Sequence, residues 1–302
     1  MEWMIFAGAS AFTFALVSVL DKILISEHVN SGKVFVSIVG ATQILLGLSA
    51  VPLAINSDYS FTTVSVALLS GVFSGTYLVS MFLVMESQDV SKVVPVVSTY
   101  PIFVALLAFM FLGESVTTLS LICVLITVSG AVLVSLGPQG MAAGIKRNDV
   151  TAMMVLFAAS MSFGLSQFLS KTITGDMTLE AQFMLRGLGG GFVCGTLIFT
   201  QTARNGIKKL MSKPKTLGLI AITEIFLVFF AILFFFRAIY SGDVYLTSTV
   251  LATRPLFVFV LSLILSIPFI GLLKESVRGK DLIMRCFGII LTVGGVVGVS
   301  FF

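Results

Sequence analysis

Apolar residues run along this chain in long blocks, each closed by a short polar or charged interval. The blocks lie at 3–22, 33–54, 63–85, 92–112, 117–137, 150–170, 181–201, 217–239, 244–267 and 281–301. A bilayer core is crossed by about 20 residues of helix. In lipid every backbone N–H and C=O must bond within its own segment, so apolar runs of this length read as helices. The pattern predicts an all-α membrane protein with ten transmembrane helices. Gly113 to Val116 is all that joins the fourth and fifth, which makes them a tight hairpin. Pro268 and a charged stretch from Lys274 to Asp281 separate the ninth and tenth.

The blocks also repeat. Phe82 to Val90 aligns with Phe236 to Val244 at an offset of 154, and the same offset lays Thr99-Tyr100-Pro101 on Thr253-Arg254-Pro255. At an offset of 149, Phe14 and Lys22 meet Phe163 and Lys171. Thr127-Val128-Ser129-Gly130 resembles Thr292-Val293-Gly294-Gly295, and Glu114-Ser115-Val116 resembles Glu275-Ser276-Val277. The order of these matches is kept across five helices. The chain therefore divides into repeats at 1–140 and 141–302. Five helices is an odd number, so the second copy enters from the opposite side. Two inverted five-helix repeats place a binding site near the midplane between them.

Composition agrees with the pattern. The chain of 302 residues is 57% hydrophobic and 11% charged, with a mean hydropathy of +1.11. So little charge could not coat a soluble surface of this size. No basic n-region or small-residue cleavage site opens the chain, so the first block is expected to be a mature helix. Cys123, Cys194 and Cys286 all fall in apolar blocks and form neither a disulfide framework nor a zinc spacing.

The net charge of +4 does not point to nucleic acid. Of 18 Lys and Arg residues, 14 lie in or beside the connections after odd-numbered helices. The positive-inside rule puts those connections in the cytoplasm and both ends of the chain outside. The run from Lys208 to Lys215 suits anionic headgroups.

Polar groups inside the spans are costly there, so they are the candidate site. Arg254 lies ten residues into the ninth span, about 15 Å down. Pro255 follows it and removes a backbone donor, as Pro101 does in the fourth span. A guanidinium beside an opened helix suits a carboxylate or phosphate. Glu224 in the eighth span could pair with Arg254 or carry a proton. Arg186, Arg237 and Lys171 would make the outward mouth basic and gather anions there.

Gln43, Tyr77, Tyr100, Gln167 and Thr253 are expected to line the cavity as uncharged contacts. Ser160, Gly164, Gln167 and Lys171 share one helix face, as do Ser70, Ser74 and Tyr77. Gly71-x-x-x-Gly75 and Gly191-x-x-x-Gly195 read as helix-packing spacings. Asp89 and Asp243 stand where N-caps belong.

Pro101 mid-helix, the turn Leu112-Gly113-Glu114-Ser115 and Gly130 together resemble the EamA family of the drug/metabolite transporter superfamily. Pro255, Glu275 and Gly294-Gly295 echo them in the second half, and Lys22 and Lys171 fall where the first helix of each family repeat often carries lysine. Two features depart from the family pattern. The helix after Glu114 opens Val116-Thr117-Thr118-Leu119, without the family's usual proline, and the second copy has extra residues between Pro255 and Glu275. The family usually keeps both termini in the cytoplasm, opposite to the charge count.

The resemblance implies a secondary transporter, not an enzyme, working by alternating access without a cofactor. Its expected cargo is a small polar or anionic metabolite such as an amino acid, with export the expected direction. Proton coupling through Glu224 is open. A flippase for a phosphate-bearing lipid intermediate and a quaternary-amine or drug transporter are the alternatives. The expected partners are the small-molecule substrate and the lipid bilayer, not nucleic acid. The chain is expected to be a monomer or weak homodimer, multi-pass in a prokaryotic plasma membrane. His28 is the lone histidine and lies in a connection, so no intramembrane zinc or Ser–His chemistry can be built.

Overall fold

A computed structural model describes residues 2–29, 31–54, 58–88, 90–113, 117–142, 147–265 and 280–301. The described residues carry helices and turns. Helix α1, Glu2–Ile23, continues into a π-helical turn, Leu24–Val29. Then come α2, Gly32–Ser49, the short α3, Val51–Ala54, and α4, Phe61–Met85. Helices α5, Val90–Val97, and α6, Tyr100–Leu107, follow, and then α7, Thr118–Ala142.

The second half holds α8, Arg147–Thr172, and α9, Leu179–Gly195, with α10, Gln201–Met211, in the connection after it. Next are α11, Pro214–Ile220, a π-helical segment, Ala221–Leu227, and α12, Val228–Ser241. Helices α13, Val244–Leu251, α14, Arg254–Leu265, and α15, Lys280–Phe301, complete it.

Among the described residues, seven stretches are long and apolar enough to cross a membrane. They are Glu2–Val29, Gly32–Ser49, Phe61–Met85, Val150–Thr172, Leu179–Phe199, Pro214–Ser241 and Val244–Ser262. Three shorter apolar helices, Tyr100–Leu112, Thr118–Gly130 and Cys286–Gly298, fall within the fourth, fifth and tenth predicted spans. Large apolar side chains such as Ile5, Phe61, Phe199 and Ile283 are exposed, as a lipid-facing surface requires. The chain is an integral, multi-pass membrane protein.

Both expected helix breaks are present. α5 ends at Val97 and α6 starts at Tyr100, with Pro101 in its first turn; α13 ends at Leu251 and α14 starts at Arg254, followed by Pro255. Proline suits a first turn because the N–H it lacks would have no partner there. Elsewhere α9 packs on both α2 and α4, α1 on α12 and α14, and α7 on α15. Glycine makes the α4–α9 contact possible. A Cβ at Gly75 would sit 2.6 Å from the Gly190 carbonyl oxygen, so any side chain would push the helices apart.

Gly113 closes the first half of the tight hairpin at φ +65°, a left-handed conformation that glycine adopts without strain. Asp243 takes the N-cap position of α13 with extended backbone, but its side chain makes no capping bond. Asp89, Glu114 and Glu275 lie outside the described residues.

Candidate functional site

The two helix breaks meet at one cavity of about 90 Å³. Its lining includes Phe14 and Asp21 from α1, Gln43 from α2, Ser74 and Tyr77 from α4, and Tyr100 and Arg254 from the breaks. Phe163 of α8, Arg186 of α9, Glu224, and Phe235 and Phe236 of α12 complete its polar and aromatic wall.

At the centre, Arg254 donates through Nε to Ser18 Oγ at 2.9 Å and through Nη1 to Tyr77 OH at 3.1 Å. Its Nη2 also bonds Ser18 Oγ. The guanidinium lies 5.6 Å from the Phe14 ring centre, within range of a cation–π attraction. Tyr77 stacks on Phe163 at 4.4 Å, and Tyr100 meets the same ring edge-on at 4.8 Å. Tyr100 OH donates to the Ser248 carbonyl at 3.2 Å, and Ser248 Oγ donates to Gln167 Oε1 at 2.5 Å.

Arg186 sits at one end. Its Nη1 donates to Ser170 Oγ at 2.7 Å and its Nη2 to Ser74 Oγ at 3.5 Å. The Phe235 and Phe236 rings lie 4.8 and 5.7 Å from its guanidinium carbon. It is only 8% exposed. At the other end, the carboxyls of Asp21 and Glu224 lie within hydrogen-bonding reach of each other. Glu224 is carried by the π-helical segment Ala221–Leu227. Such an irregular turn is frequent at functional sites because it re-aims side chains.

The cavity thus gathers Arg254, Gln43, Tyr77, Tyr100, Glu224 and Arg186 from the predicted set. It departs from the expected picture at five positions. Arg186 is turned inward instead of standing at a basic mouth, because Ser170, Ser74 and two phenylalanine rings hold it. Glu224 finds its side-chain partner in Asp21, not in Arg254. Gln167 stands one layer back, bonded through Ser248. The Thr253 hydroxyl turns back to the Val250 carbonyl at 2.8 Å, inside its own chain turn. Arg237 is exposed, away from the cavity.

Lys171 does something more specific than charging a mouth. Its Nζ donates to the carbonyls of Ile239 and Gly242 at 3.0 and 2.7 Å, closing the C-terminal end of α12. Lys22 does the same to Met85 and Gln88, at 2.8 and 3.0 Å, at the end of α4. A lysine at a helix C-terminus satisfies orphan carbonyls and opposes the helix dipole. Donors stand at the offset of 149 and acceptors at the offset of 154 that relate the two sequence halves.

Asp21 and Ser18 were not singled out from the sequence. The signal was there: Phe14, Ser18 and Asp21 step by four and three residues, so they share the α1 face that looks into the cavity.

At the two broken helices a largely apolar cavity thus holds a few buried charged and polar side chains. Residues 1–136 match the family model of the EamA-like transporter family, of the drug/metabolite transporter superfamily. No curated protein sequence matches it. One solved crystal structure is similar over 98% of this chain and 96% of its own, with a TM-score of 0.62 at 16% identity. At that identity the likeness speaks for the fold alone. The match over the first half supports a membrane transporter of the drug/metabolite type.

Proposed function

We propose that this chain is a secondary transporter that moves a small polar or anionic metabolite by alternating access, in the export direction. The observation that carries the reading is a pair of arginines in one cavity, Arg254 and Arg186, each hydrogen-bonded to hydroxyls. A guanidinium lowered into an apolar bundle is costly. Hydroxyls compensate it less well than a carboxylate or phosphate, which could take two parallel hydrogen bonds. A bound anion would supply what these arginines lack.

The two halves, 1–140 and 141–302, are read as inverted five-helix repeats with ten spans in all. The matched lysine contacts support that reading, since each lysine ties the first helix of its half to the end of the third. Rocking of one half on the other would open the cavity first to one face and then to the other. A bundle of this kind fits a prokaryotic plasma membrane and needs no cofactor.

The aromatic wall, together with two acids at one end, is what favours the alternative of a quaternary-amine or drug cargo. A thermal-shift screen of purified protein against amino acids, sugar phosphates and quaternary amines separates these. Anionic or zwitterionic hits, lost in Arg254→Ala and Arg186→Ala, are the expected outcome. Hits among quaternary amines alone, or anionic hits untouched by both substitutions, would replace this reading.

A further inference from the structure

The acidic end of the cavity has a chemistry of its own. Asp21 is 1% exposed and Glu224 2%. Asp21 Oδ1 and Glu224 Oε1 receive no hydrogen bond from a described residue, although both side chains line the cavity. An ionised carboxylate can only accept hydrogen bonds. Two ionised carboxylates in contact therefore have nothing to share, and their repulsion is large where water is excluded. Contact between these two acids is satisfied when one proton sits between them.

Among the described residues, few charged and titratable groups stand around the pair. Arg254 acts on Asp21 from α14, and Cys194 faces Glu224 from α9. Tyr77 of α4 reaches the neighbourhood through its bond from Arg254. Lys22 follows Asp21 directly, but its Nζ is engaged by the Met85 and Gln88 carbonyls. Among the described residues Arg254, held by the neutral hydroxyls of Ser18 and Tyr77, is thus the cation placed to answer a change of charge on the pair.

We propose that Asp21 and Glu224 together form a proton-binding site, and that departure of the proton draws Arg254 off Ser18 and Tyr77 onto the two carboxylates. The proton passes to water in the cavity, and no bond other than its own O–H breaks. Ser18 and Asp21 are three residues apart on α1, about 4.5 Å along the axis. A short swing of the guanidinium therefore exchanges hydroxyl acceptors for carboxylates, which bind it about twice as strongly. Pro255, next in the chain, stands at the head of α14, so the swing pulls on the helix break itself. A protonated pair leaves Arg254 available to an anion; an ionised pair occupies it. The second half of this argument rests on the reading of Arg254 as a solute contact; the proton site does not.

Infrared difference spectroscopy tests it on the full chain in lipid, with no solute added. A protonated buried carboxyl has a C=O stretch distinct from that of ionised carboxylates and shifted in D₂O. The wild type should give one such band that titrates with pH. Asp21→Asn with Glu224→Gln should remove it, and Arg254→Gln should move its midpoint. If the double variant does not fold, the single isosteric variants carry the test, each altering the band's frequency or midpoint. A wild type without the band, a band that survives both acid substitutions, or a midpoint indifferent to Arg254 would overturn the proposal. None of these outcomes depends on which solute is carried, so this site and the transport reading can fail separately.

Discussion

The two helix breaks occupy matching places in the two sequence halves and differ in charge. At the first, Tyr100 sends a neutral hydroxyl to a backbone carbonyl and packs on Phe163. At the second, Arg254 sends a guanidinium to Ser18 and Tyr77 and lies over Phe14. The same contrast holds at the cavity ends. The residue 149 positions after Asp21 is Ser170, and the residue 154 before Glu224 is Ser70. Two acids meet at one end; at the other, Ser170 instead receives Arg186. Duplicated backbone geometry thus carries unlike charges, and the cavity is polarised along its length. On the proposed repeat, the scaffold supplies two breaks, and the direction and sign of binding would come from where the halves differ.

The sharpest way to break this contrast is to make the breaks alike. Arg254→Tyr puts the first copy's residue in the second. It removes charge-assisted hydrogen bonds worth about 1.5–3 kcal/mol each, so binding of an anionic hit should weaken about ten- to hundredfold. Isothermal titration on protein that still melts cooperatively measures it. Unchanged affinity would mean that Arg254 only closes the bundle.

Making the ends alike comes next. Asp21→Ser with Glu224→Ser reproduces the serines of the other half. In the wild type, raising pH ionises the pair, which then captures Arg254, so anion affinity should fall as pH rises. One linked proton allows at most about a tenfold change per pH unit. The serine variant should bind with little pH dependence across the same range. A wild-type affinity that rises with pH would reverse the coupling argued above.

The scaffold was easier to read than the site. Apolar blocks announce spans because lipid leaves the backbone no other partners. Pro101 and Pro255 announce breaks because the ring forbids an ordinary helix interior. Arg254 was legible for the same reason, being a charge too deep to be incidental. The partners were not. Which carbonyls Lys22 and Lys171 close, or that Glu224 meets Asp21, depends on rotation of helices far apart in sequence. The π-helical segment Ala221–Leu227, which sets the direction of Glu224, has no plain signature in its residues. Arg186 looked like an interfacial residue because it lies near a span's end; burial against Phe235 and Phe236 follows from packing alone.

The lysine straps sharpen the comparison at a smaller scale. Lys22→Met and Lys171→Met each strip donors from a helix C-terminus, which costs about 1–2 kcal/mol in a partly buried setting. The loss should lower the melting temperature of both variants to a similar degree. If the halves are inverted, the variants loosen opposite faces. Single cysteines placed beside each strap should then gain reactivity toward an impermeant thiol reagent from opposite sides of the vesicle. Reactivity gained from the same side in both would refute the inverted arrangement.

The smallest effect is expected at Tyr100. Tyr100→Phe keeps the ring on Phe163 and removes one neutral hydrogen bond to Ser248. Such a bond contributes about 1 kcal/mol net, so solute affinity should change by no more than about fivefold. The Ser248 carbonyl keeps the Ala252 amide at 3.0 Å, so it is not orphaned by the change. A loss comparable to that of Arg254→Tyr would show that the first break contributes to binding as strongly as the second. The charge difference between the breaks would then not be what selects the solute, and the aromatic wall shared by Tyr77, Tyr100 and Phe163 would take that role.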